Sequence, residues 1–257
     1  MGYKNILLEI HSKTCLILLN RPECMNAINT KMTEELIEAL KNADQDKDIK
    51  CIIIGGGCEF FSAGADINEF DKFKNIDNRN NSFITKWDSI NNIKKPIIAA
   101  ISGYAIGGGC ELALLCDILI ASDNAKFSQP EVLLGLMPGG GATKKLPKII
   151  GKSNAMEFCL TGKYIDAKEA YRIGLINNIY KKDLLIKEAL KMASKISSMS
   201  LNSILAIKKS IKASYNENCI DGVKNEREIF NSLFDTKDSI EGINAFKEKR
   251  EPNFLDK

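Results

Sequence analysis

Histidine is the scarcest chemistry-bearing residue in this chain of 257 residues: His11 stands alone. One imidazole cannot build a zinc site on several histidines, and a Ser–His–Asp triad would have to use this residue. His11 lies beside polar Ser12 and Lys13 at the end of an apolar run, where a surface turn residue is expected. Acid–base chemistry therefore falls to carboxylates, lysine, tyrosine or cysteine. Paired Cys-x-x-Cys spacing is missing too. The eight cysteines, at 15, 24, 51, 58, 110, 116, 159 and 219, stand mostly inside apolar runs. Cysteine behaves there as a small buried hydrophobe, so reduced thiols and a cytoplasmic location are expected. Long uncharged apolar stretches are also lacking. Residues 1–10 carry Lys4 and Glu9, and neither a leader nor a membrane span is expected. A basic run is absent, the lysine pairs at 94–95, 144–145, 181–182 and 208–209 being scattered. With a net charge of only +3, this argues against a nucleic-acid partner.

What is present suits an ordinary globular protein with a large core: 44% apolar and 27% charged residues, which at this length need no staple. Ile6 to Ile10 and Thr14 to Asn20 read as two strands around a tight turn. Met32, Leu36, Ile37, Leu40 and Ala43 recur at helical spacing behind Asn29 or Thr30 as cap. Buried strands are predicted at 51–54, 97–101 and 118–121, and a last one from Leu175 to Tyr180. Trp87, Ile90 and Ile93 suggest a helix ending before Pro96, and another opens at Glu111. Asp166 with Glu169 resembles a capping box, closed by Gly174. Helices are predicted over 183–198, 200–215, 219–234 and 238–249. Strand, glycine loop and helix recur, as in a wound α/β core. The boundary falls near 195, giving a catalytic core over 1–195 and a helical assembly region over 196–257.

Four stretches can carry chemistry. Gly107-Gly-Gly-Cys-Glu111 stands between a buried strand and a helix, where free N–H groups and the dipole suit a developing oxyanion. A glycine triplet alone is as readily a tight packing turn. Phe60-Phe-Ser-Ala-Gly-Ala-Asp-Ile67 offers a further backbone N–H, on weaker grounds. In Phe127-Ser-Gln-Pro-Glu131, Pro130 opens a helix with Glu131 in its first turn. A carboxylate at that position, like Glu111, is by default a surface residue that complements the helix dipole. The apolar settings of both favour burial, a raised pKa and proton transfer. Met137-Pro-Gly-Gly-Gly-Ala142 does not match a phosphate-binding loop. Cys110 lacks the histidine that would activate it as a nucleophile.

Together these stretches resemble the crotonase (enoyl-CoA hydratase/isomerase) superfamily over almost the whole chain. The match includes Asn20-Arg-Pro22 with Asn26-Ala27, Ser62 to Ile67, Lys95 to Tyr104, Ala105 to Ala113, Cys116-Asp-Ile118, Phe127 to Glu131, Leu160-Thr-Gly162, Ala170 to Gly174 and Ala245 to Arg250. The resemblance implies an α/β spiral of β-β-α units with a C-terminal helical region that builds trimers, often paired into hexamers. It implies hydration of an enoyl-CoA thioester, with coenzyme A part of the substrate and no metal or further cofactor. Ala65 and Gly108 would supply the two N–H groups of the oxyanion hole. Glu111 is assigned as base and Glu131 as acid, with Gln129 orienting one of them. Ala63, Asp66, Ile67, Cys24, Gly139, Trp87 and Lys249 join Gln129 as expected contacts to substrate or CoA. Residues 68–90 are expected to wall the acyl pocket. Members that shift double bonds often lack one of the two glutamates, so the presence of both favours hydration over isomerisation. A non-catalytic RNA-associated relative is the reading from another class. Glu23 and Asn68 stand where many relatives carry lysine, which leaves Lys249 and Arg250 as candidate cations for the CoA phosphates.

Overall fold

The computed structural model describes residues 2–57, 59–74, 83–215 and 219–256. Cys58, and residues 75–82 of the expected acyl wall, lie outside these.

An antiparallel hairpin, β1 (Ile6–His11) and β2 (Thr14–Leu19), starts the fold. Beside it stand β3 (Cys51–Gly55), β5 (Ile97–Ile101), β7 (Ile118–Ser122) and β10 (Asn178–Tyr180), in the order β1-β2-β3-β5-β7-β10, parallel from β2 onward. β3 and β5 are buried at every position, which is why they read as unbroken apolar runs rather than alternating ones. Ile52, Ile54, Ala99 and Ile101 face the main core with α1 (Thr30–Gln45). Cys51, Ile53, Ile98 and Ala100 face the opposite side and meet Leu185, Ala189 and Ala193 of a later helix. Asn29 caps α1, its side chain accepting from Met32 N at 2.8 Å.

A second, smaller sheet holds β4 (Phe60–Ser62), β6 (Tyr104–Ile106), β8 (Lys126–Ser128) and β9 (Ile165–Asp166). The sequence predicts no strand at these positions. Each strand of the large sheet from β3 to β7 thus leads into a short strand of the small one, giving the β-β-α spiral. Three helices follow these turns: α2 (Gly108–Leu114), α3 (Ala142–Ile150) and α4 (Lys152–Thr161). α5 (Ala167–Arg172) is capped by Asp166, which accepts from Glu169 N at 2.8 Å. The box is half made, because the Glu169 carboxylate turns to Arg172 at 2.7 Å. The predicted strand at 175–180 shortens to β10. Leu175 and Ile176 are core residues, and the Asn177 side chain accepts from Leu119 N in place of a ladder bond. Trp87 sits on a 3-10 turn, Trp87–Asn92, rather than on an α-helix.

α6 (Leu185–Ser197) covers the outer face of the large sheet. Beyond it come α7 (Leu201–Ala213), α8 (Cys219–Leu233) and α9 (Lys237–Glu248). The chain end is tied back: buried Lys50 donates to Met199 O at 3.0 Å and to Asp256 at 2.8 Å, and Asp256 accepts from Leu201 N. α7 and α8 bury none of their described residues, and Ile211, Phe230 and Phe246 stand exposed. No described helix is long and apolar enough to cross a membrane.

Candidate active site

α2 begins at Gly108, so its first N–H groups find no acceptor within the helix. Gly107 precedes it at φ 50° and ψ −120°, a conformation open to glycine. A Cβ there would also lie 3.1 Å from Glu131 Oε1, so the missing side chain admits the carboxylate. Across from α2 runs the segment after β4. Ile28 forms an isolated parallel bridge with Ala65: Ile28 N donates to Gly64 O at 2.7 Å, and Asp66 N donates to Ile28 O at 2.9 Å. Both bonds use groups flanking Ala65, which leaves its own N–H on the side facing α2. The two donors are close, since a Cβ built on Gly108 would lie 3.3 Å from the Ala65 nitrogen. The Trp87 ring backs them, with Cη2 3.4 Å from that same point.

Glu111 lies in the first turn of α2 and is buried. Its Oε1 accepts from Gly140 N at 2.8 Å and Ala142 N at 3.0 Å. Burial raises its pKa, and those backbone donors oppose the rise by stabilising the charged form. The third glycine stretch is thus a carboxylate cradle, a role the sequence reading did not give it. Glu131 opens the 3-10 turn Pro130–Leu134 after β8. Burial, with a contribution from the charge on Glu111, lifts it to about 7. Gln129, fully buried, donates from its amide nitrogen to both Glu131 oxygens, at 3.0 and 3.1 Å, with the amide oriented toward the carboxylate. Cys110 is buried behind the pair and its thiol is pushed far up by desolvation, as expected of a packing residue.

The other expected contacts divide. Trp87 lies against both Gly108 and Gly140, and Gly139 is exposed beside Gly140. Ile67 is exposed at the start of the 3-10 turn Ile67–Lys74. Ala63 N is spent on Met25 O, and Cys24 Sγ reaches back to Arg21 O at 3.5 Å. Asp66 stands beside Arg21 and Asn68. Its carboxylate is held by Arg21 Nη1 at 3.1 Å and by Asn68 Nδ2 at 3.0 Å, so its bonds are internal. Lys249 sits exposed at the left-handed end of α9, and no contact joins it to the glutamates among the described residues. Arg250 is committed to Glu241 and Glu248, each at 2.6 Å. A cavity of about 1330 Å³ opens elsewhere, between the ends of α2 and α3 and the helices α7 to α9; neither glutamate borders it. Among the described residues no cluster of three metal-ligating side chains occurs.

A backbone donor pair facing one buried and one half-buried carboxylate, on a β-β-α spiral, is the crotonase class of fold and site. The comparisons agree. The enoyl-CoA hydratase/isomerase family profile matches residues 9–257, and the chain belongs to that family. It is 46% identical over 249 residues to a mitochondrial protein of Dictyostelium discoideum named probable enoyl-CoA hydratase, covering 97% of this chain and 90% of that one. It is 44% identical over 241 residues to the mitochondrial enoyl-CoA hydratase of Pongo abelii, covering 94% and 83%. It superposes on an enoyl-CoA hydratase subunit from Geobacillus kaustophilus HTA426 with a TM-score of 0.96, at 36% identity and 99% coverage of both chains.

Proposed function

We propose that this chain is an enoyl-CoA hydratase, which adds water reversibly across the C2–C3 double bond of a trans-2-enoyl-CoA to give the 3-hydroxyacyl-CoA. One observation carries the reading: the Ala65 and Gly108 donors lie together, with two carboxylates of unlike surroundings beside them. The donors receive the thioester carbonyl oxygen and stabilise it as it gains charge. Glu111, whose charged form the Gly140 and Ala142 N–H groups favour against burial, takes a proton from the attacking water. The water oxygen bonds to C3, the double-bond pair moves toward the carbonyl, and Glu131 delivers its proton to C2. With a pKa of about 7, Glu131 holds a proton in a large fraction of molecules near neutrality, as an acid must. Carbonyl polarisation comes from backbone, so the scheme calls on no cofactor beyond the CoA of the substrate.

Three finer statements complete the proposal. The exposed apolar residues of α7 to α9 support assembly as a trimer or a dimer of trimers. The cysteines among the described residues are all free thiols, which supports a cytoplasmic location. The Trp87 ring, close to Gly108 and Gly140, supports its place as part of the acyl wall.

The test is the absorbance of crotonyl-CoA with purified protein. Loss of the conjugated enoyl-thioester band with appearance of 3-hydroxybutyryl-CoA is the expected result. If the band persists with crotonyl-CoA and with longer enoyl-CoAs, while a 3-enoyl-CoA is isomerised, the hydratase assignment is wrong and the isomerase takes its place.

A further inference from the structure

Ala65 carries a donor, yet nothing in its own side chain fixes where that N–H points. Its placement is imported from the segment between β2 and α1. Arg21 N donates to Asn26 Oδ1 at 2.8 Å, and Asn26 Nδ2 donates to Phe60 O and Phe61 O at 3.1 and 3.3 Å. Ser62 Oγ donates to Asn26 O at 2.8 Å and accepts from Gly64 N at 3.1 Å. Beyond Ala65, Arg21 Nη1 donates to Ala27 O at 2.6 Å and to Asp66 Oδ2 at 3.1 Å. The pair is largely shielded, with 16% and 12% of the two side chains exposed, which separates it from surface ion pairs of little consequence. The opposite donor rests on the same scaffold. A Cβ on Gly109 would lie 2.5 Å from Ser62 O, so the first turn of α2 is seated directly against the strand that leads to Ala65.

We propose that Arg21 is a positioning residue for the oxyanion hole: by joining the Ala27 carbonyl to the Asp66 carboxylate it sets the direction of the Ala65 N–H. The inference rests on the hydratase reading and adds a residue that acts through the Ala65 donor. A donor pair displaced by a fraction of an ångström still binds a thioester but polarises its carbonyl less. The loss then falls on kcat rather than on KM.

The experiment compares wild type with Arg21→Met, Arg21→Lys and Asp66→Asn. Two readouts are used: crotonyl-CoA hydration, and the absorbance maximum of bound 4-dimethylaminocinnamoyl-CoA, a conjugated thioester whose band moves to the red as its carbonyl is polarised. Arg21→Met and Asp66→Asn are expected to lower kcat roughly ten- to a hundredfold with KM changed less than about threefold. Both should shrink the red shift, and the double variant should be no worse than the poorer single, since both cut one link. Arg21→Lys keeps the charge without the planar fork and should fall between; it carries the test if Arg21→Met does not fold. Variants that lose thermal stability while keeping the full red shift and kcat would overturn the inference. A wild type that neither hydrates crotonyl-CoA nor shifts the probe would instead sink the hydratase reading beneath it.

Discussion

Glu111 and Glu131 occupy matching places, each in the first turn of a helical segment that leaves a strand of the spiral, and burial raises both. Their surroundings diverge from there. Glu111 is met by two backbone N–H groups of the 139–142 stretch, rigid donors that favour its charged form. Glu131 meets one side-chain amide and stands beside an apolar rim of Val132, Leu133 and Leu134. On the proposed reading, the same residue type in the same helical position serves as base in one corner and as acid in the other. Helix position does not separate them; the rigid backbone donors of the 139–142 stretch, met by Glu111 alone, do.

The comparison is broken most forcefully by removing each carboxyl in turn. Glu111→Gln and Glu131→Gln are each expected to lower kcat for crotonyl-CoA hydration roughly 10²–10⁴-fold, because each deletes one proton transfer. A variant that kept a tenth of wild-type activity would mean that only one carboxylate works. Next in size is the donor both corners share. Gly108 is the first helical residue, where proline is tolerated, so Gly108→Pro removes the N–H and also crowds the Ala65 nitrogen and Trp87, which lie 3.3 and 3.4 Å from a Cβ there. A loss of about 10²–10³ in kcat is expected, against unchanged turnover if that N–H does not hold the carbonyl.

The Glu111 corner can be tested without touching the glutamate. A Cβ at Gly140 would lie 2.8 Å from Trp87 Cζ3 and 2.9 Å from Glu111 Oε2, so Gly140→Ala must push the carboxylate or the indole aside. A displacement of that size is expected to cost roughly 10² in kcat. Circular dichroism and a melting curve check that the fold survives.

How legible each corner was follows from where its partners lie in the chain. The large sheet was readable because β3 and β5 are continuous apolar runs, and α1 because its apolar face repeats over four turns. β4, β6 and β8 were not: three residues are too few to display a period of two, and their pairing partners lie some forty and twenty residues away. The glutamates looked, on propensity alone, like dipole-complementing surface residues; their apolar settings and their place in long family-like stretches singled them out. Gly139 to Ala142 announced a tight turn, but its acceptor, Glu111, lies 29 and 31 residues upstream of the two donors. The Asp66 carboxylate likewise meets Arg21, 45 residues earlier. What the sequence conceals is mostly non-local hydrogen bonding.

The Glu131 corner sharpens the comparison through Gln129. An amide that donates to a carboxylate stabilises the charged form, so it holds the Glu131 pKa below what burial alone would set. Gln129→Met removes that donor at similar volume. The descending limb of kcat/KM, which reports loss of the acid's proton, should move to higher pH. A hydrogen bond worth ~0.5–1.5 kcal/mol corresponds to a displacement of roughly 0.4–1 pH unit. A shift to lower pH would mean that the limb belongs to another group.

The smallest effect is thermodynamic and concerns the same carboxyl. The Glu131 pKa is about 7 in the folded chain and 4.5 for an unperturbed glutamate. Between those values the unfolded chain has released the proton while the folded chain retains it, so the unfolded state binds fewer protons and stability must fall as pH rises. The contribution is complete below pH 4.5 and gone above about 7. Glu131→Gln has no proton to lose there. Wild type should therefore lose melting temperature relative to Glu131→Gln as pH is raised across that window, and the two curves should run parallel above it. Partial solvent access to Glu131 weakens the effect, which limits the relative change to about 2–4 °C. A wild type that instead held a constant offset from the variant across the window would show a carboxylate ionised through the whole range. Glu131 could then no longer be the acid, and the two corners would have to exchange roles.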